Sequence, residues 1–192
     1  MRFYNLLIVS LVLFASVSAR ADDQKVSVSR DMQYIVATHE VAHAAACLAL
    51  NPNCQLTRIA VWTEVESGLS GQGTTFFYAD SSLSTPHGRF IGAIVYLAGA
   101  AAEKAFRNVT SVGDGDDRNQ AMSLCQTESR FAKAERQAEN LVRANGSAIL
   151  KLANLIMSQE PQNGVREVSA QLVRETLEHE HLAPLSEEQL AD

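Results

Sequence analysis

The chain has 192 residues, 46% of them hydrophobic and 6% aromatic, with a formal net charge of −6 at pH 7. That length and apolar content provide for one globular domain with a sizeable core and exclude a disordered chain. The acidic balance, without a basic patch, argues against a nucleic-acid partner, and few aromatics beside many alanines favour helices over strands.

Residues 1–21 read as a signal peptide. Arg2 supplies the positive start, Leu6 to Val17 is an apolar stretch too short to span a bilayer easily, and Ala19-Arg20-Ala21 fits the small-x-small cleavage rule. Cleavage there removes Arg2 and Arg20 and no acid, which takes the net charge from −6 to −8. An uncleaved N-terminal anchor is the alternative. Both readings imply export, periplasmic or secreted, or membrane association through this segment. No later stretch is a clear transmembrane helix. The body of the domain is placed at 22–182, with a polar tail at 183–192.

Asp22 to Val28 is polar and is expected to be a flexible lead-in. Ser29 is a candidate N-cap, with Asp31 in the first turn, and a helix is predicted from there to about Leu50, stopped by Asn51-Pro52-Asn53. Leu56 to Thr63 and Gly71 to Tyr78 read as two strands of a hairpin around a polar loop, Glu64 to Ser70. Ser81 to Thr85 is a turn. Thr85 caps the next helix and Pro86 suits its first position; Gly92, Gly99 and the alanines allow close packing along it to about Arg107. Asn108 to Asp116 is a loop. A third helix is predicted from Asp117 to Asn145-Gly146, with a break near Gln126 to Ser129. A fourth spans Ser147 to Ser158, Pro161 to Gly164 is a turn, and a fifth covers Val165 to Glu178. The fold class is mainly α, with a small β-hairpin next to the first helix.

The chemistry is concentrated in Thr38-His39-Glu40-Val41-Ala42-His43. Histidines four apart lie one turn apart on one helix face and can reach the same zinc ion. Glu40, rotated from that face, can take a proton from a metal-held water. From Ile35 to Leu50 the helix is apolar on every side, so it is expected to be buried. Burying His39, Glu40 and His43 without partners is costly, which favours a metal over a plain core helix. A zinc peptidase needs a third protein ligand. Ala46 and Ala49 exclude the HExxHxxGxxH extension, leaving Glu103, the Asp114, Asp116 and Asp117 cluster, His87, and His179 with His181. Asp114-Gly115-Asp116 lacks the remaining positions of a calcium loop.

Three segments resemble the peptidase domain of the FtsH-type membrane proteases, which are ATP-dependent zinc endopeptidases. HEVAHA (39–44) resembles that family's HEAGHA helix, LAGAAAEKAF (97–106) its GGRAAE segment, and VGDGDDRNQAMSL (112–124) its TGASNDxxxAT segment. The resemblance runs over about residues 30 to 180. It implies a helical metallopeptidase fold, zinc as cofactor, and Asp117 as third ligand after His39 and His43, with Asp116 the neighbouring alternative. It also implies Glu103 as an acid beside the ligands. Ala100 stands where the family usually has arginine, and no GxxxxGK[ST] occurs, so the chain itself offers no ATP site of that kind. If both ligand-bearing helices approach the metal, Cys47 and Cys125 come near one another. A Cys47–Cys125 disulfide is therefore expected ahead of Cys54–Cys125.

The expected activity is zinc-dependent endoproteolysis of flexible or unfolded polypeptides, with Glu40 as the base. The alternative is a non-catalytic zinc-containing module that binds peptides or a partner.

Overall fold

The computed structural model describes residues 25–51, 53–66, 72–78, 81–107 and 115–190. The signal segment, 1–21, and most of the 108–116 loop lie outside them. The fold is mainly helical, with two small antiparallel sheets.

Helix α1, Arg30–Leu50, starts where Ser29 accepts a hydrogen bond from the Met32 amide at 3.2 Å. It has no solvent face through its middle: every residue from Ala37 to Cys47 is buried. A helix of this kind needs cover all round. It packs against α2 (Pro86–Arg107), α5 (Gly146–Ser158), and strands β2 (Gln55–Trp62) and β4 (Gly73–Tyr78). As expected, the Thr85 hydroxyl accepts from the Gly88 amide at the start of α2, with Pro86 first in the helix. α3 (Gly115–Cys125) and α4 (Glu128–Ala144) are separated where Gln126 adopts φ 65° and Thr127 caps the next helix. Phe90, Ile94, Leu141, Ile149, Leu152 and Ile156 fill the core between these helices.

The predicted hairpin forms, with β2 antiparallel to β4. Three local expectations are corrected. The lead-in is not loose throughout, because Lys25–Ser27 (β1) pairs with Glu64–Glu66 (β3), a segment expected as loop, and the Val28 amide donates to the Thr63 carbonyl. The fifth helix begins later than expected. Val165–Ser169 is strand β5, paired with β2, and only Ala170–His179 is helical, as α6. An open strand edge outweighs modest helix propensity, and Ser169 caps α6 by accepting from the Leu172 amide. The sheet order is β4-β2-β5, so among the described residues β4 and β5 are its edges.

The disulfide expectation is also overturned. Cys47 bonds to Cys54, and Cys125 is a buried thiol. The chain turns tightly after α1, with the Cys54 amide on the Asn51 carbonyl. This brings the two Cα atoms to 5.8 Å, within bridging range. In the polar tail, Leu185 is buried, and the Asn145 side chain holds both the amide and the carbonyl of Ala183. A last short helix, α7, covers Glu187–Leu190. No helix among the described residues is long and apolar enough to cross a membrane.

Candidate metal centre

His39 and His43 project from one face of α1, their rings 4.7 Å apart at 75°. Each ring is held by its outer nitrogen. His39 Nδ1 lies 2.6 Å from Glu103 Oε1, and His43 Nδ1 lies 2.7 Å from the Val95 carbonyl. Both partners belong to α2. The carbonyl can only accept, so His43 carries its proton on Nδ1, and the carboxylate favours the same tautomer at His39. Both Nε2 atoms are thereby turned inward.

Asp117 meets them from the first turn of α3. Its Oδ2 lies 3.2 Å from His39 Nε2 and 3.1 Å from His43 Nε2. One ligand atom from each of the three residues falls within 4.8 Å of the others. His43 Nε2, although close to Asp117, is off the line needed for a hydrogen bond and has no other partner. Two imidazole lone pairs and a carboxylate oxygen that converge in a buried space repel one another unless a cation stands between them. The donor set and this unpartnered nitrogen therefore fit a metal ion.

Without a metal, protons take that role. Burial pushes His39 down, but the hydrogen bonds to Asp117 and Glu103 and the nearby carboxylate charges more than offset it and raise its pKa well above 6.5. His43 is also raised, Asp117 outweighing the effect of burial. Burial would raise Asp117, but the two histidines hold it well below the usual carboxylate range. Tyr96, next to Val95 on α2, is pushed up to about 12, first by burial and then by the Asp117 charge.

Glu40 lies beside this group and is 1% exposed. Burial raises its pKa, against the opposing pull of both histidines and the Thr75 hydroxyl. Oε2 is bonded to Thr75, whereas Oε1 is buried without a hydrogen-bond partner. Two glycines make room for the site. A Cβ on Gly99 would lie 2.4 Å from His39 Nε2, and one on Gly73 would lie 2.4 Å from Val36 Cγ1 and 2.9 Å from Glu40 Oε1. Neither can be accommodated without displacing the side chain it meets.

The structure thus brings together His39, Glu40, His43, Glu103 and Asp117. Glu103 grips His39 from behind rather than offering a ligand atom to the shared space. Asp116 and His87 are exposed, as are His179 and His181, and none joins the group; Asp114 lies outside the described residues. Thr75, Gly73 and the Val95 carbonyl were not singled out in sequence. Thr75 is one of several β-formers in its strand, and a main-chain acceptor carries no residue signature.

No protein-family model matches the chain, and no curated protein is significantly similar to it. Fold and site together define a mainly helical protein with a buried His-His-Asp group positioned to hold a metal ion.

Proposed function

We propose that the chain is a zinc-dependent metalloendopeptidase of FtsH-like peptidase type, with His39, His43 and Asp117 as the metal ligands and Glu40 as the catalytic base. The observation that carries this reading is Glu40. A purely structural metal has no need of a buried carboxylate beside its ligands with one oxygen unpartnered. The convergence of Asp117 and Glu103 on the HEVAHA histidines supports the reading.

Zinc bound by these residues would supply Lewis acidity, polarising a peptide carbonyl and acidifying a water. The chain's own groups do the rest. Glu103 and the Val95 carbonyl orient the two imidazoles. Glu40 accepts a proton from the attacking water and returns one to the leaving amine as the peptide bond breaks. Among the described residues β4 is paired on one side only, with β2, so an extended polypeptide can add there as a strand. Substrates that are already flexible or unfolded suit strand addition at that edge.

The depth of the site favours one rival. His39, Glu40, His43 and Asp117 are each at most 2% exposed, as suits a closed, non-catalytic metal module that binds peptides or a partner. The test is cleavage of an unfolded polypeptide by zinc-loaded protein, with and without chelator, beside Glu40→Gln. Chelator-sensitive cleavage that vanishes in Glu40→Gln, with zinc retained, supports the peptidase. Zinc retention without any cleavage by the wild-type chain supports the rival.

A further inference from the structure

We infer that Thr75 is the positioning residue for Glu40, so that edge strand β4 selects which carboxylate oxygen is the base; the catalytic half of this rests on the peptidase reading. The Thr75 hydroxyl lies 2.8 Å from Glu40 Oε2 and 2.8 Å from the main-chain carbonyl of the same residue. The hydroxyl has one proton to donate, so these two acceptors compete for it. That carbonyl sits mid-helix, where it already has a helical partner, so the second contact is not needed to satisfy it. Thr75 is 1% exposed and β-branched, hence stiff at χ1.

Gly73, two residues earlier, presents to the same side of β4. Its missing Cβ leaves space that Val36 Cγ1 and Glu40 Cγ and Oε1 occupy, at 2.4, 2.8 and 2.9 Å from where that atom would stand. One oxygen is thus anchored by Thr75, and the other is buried, unpartnered and given room by Gly73. Oε1 is the oxygen left to accept the proton. Since β4 is also an edge of its sheet among the described residues, the strand that a substrate would join is the strand that holds the base.

Two measurements test this. In zinc-loaded protein with a fluorogenic peptide cut by the wild type, Thr75→Val should lower kcat about 100-fold while leaving KM and zinc content unchanged. Thr75→Ser, which restores the hydroxyl, should stay within about threefold. If Thr75→Val does not fold, Thr75→Ala takes its place. In chelator-treated protein, the unfolding midpoints of Thr75→Val, Glu40→Ala and the double variant should be non-additive, because the hydroxyl's bond to Oε2 exists only while the carboxylate is there. Additive midpoints overturn the clamp whatever the chain's activity. Undiminished kcat in Thr75→Val, or equal losses in Val and Ser, overturn its catalytic role alone. Coupled midpoints with no cleavage by the wild type overturn the peptidase reading and the catalytic half of this inference with it.

Discussion

The His39 and Asp117 side chains meet at 3% exposure each, whereas Lys104 and Glu139 form their ion pair at 70% and 29% exposure. The two regions use the same kinds of charge, but water answers for the surface pair and only protein groups answer for the buried one. A charge in the centre that loses its partner faces the full cost of desolvation. A charge on the surface is simply rehydrated. The protein is therefore sensitive to small changes along α1 and α2 and tolerant of large ones on its outer helix faces.

The largest effect is expected from Asp117→Ala. It strips both histidines of their shared partner, and removing one member of a buried pair typically costs about 3–5 kcal/mol. Denaturant unfolding of chelator-treated protein measures this, and equilibrium dialysis should show zinc binding lost. Gly99→Ala follows. The added methyl must displace the His39 ring, with about 1–3 kcal/mol of overpacking strain and a deficit in bound zinc. A Gly99→Ala protein with full zinc content would refute the close approach of α2 to that ring.

Replacing both Cys47 and Cys54 by serine opens a bridge across a separation of 7 residues. The loop-entropy account puts this near 2 kcal/mol, read from the denaturation midpoint. Because the bridge closes the end of α1 beyond His43, zinc content should persist. Glu103→Gln keeps the shape but weakens the grip on His39. Zinc affinity should fall about 10- to 100-fold, with little loss of fold. Lys104→Ala should change stability by less than about 0.5 kcal/mol; a loss as large as that of Asp117→Ala would erase the distinction between the two regions.

The same contrast has a pH signature. His39 and His43 have folded pKa values raised above 6.5. Their contribution to metal-free stability is therefore fully present below pH 6.5 and is lost as pH rises through the folded values. Asp117 is depressed below 3.8, so its contribution is present above that value and is lost as pH falls through its lower folded value. The thermal midpoint of chelator-treated protein should fall on the alkaline side of pH 6.5. Zinc-loaded protein should hold its stability there, since the metal replaces the protons and binds more weakly in acid.

The sequence alone determined what depends on a single helical turn. The buried α1 and the shared face of His39 and His43 follow from periodicity, and the caps at Ser29 and Thr85 and the break near Gln126 follow from local side-chain chemistry. Asp117 and Glu103 stand among several candidates in the sequence, and only a resemblance assigns their roles, because no local rule relates them to α1. The tertiary structure decided the rest. It chose Cys54 over Cys125 by the tightness of one turn, and made a strand of Val165–Ser169 because β2 had an edge to fill. It set Thr75 on Glu40 and the Val95 carbonyl on His43. Such contacts depend on which distant backbone happens to lie alongside, and packing settles that only when the whole chain is folded.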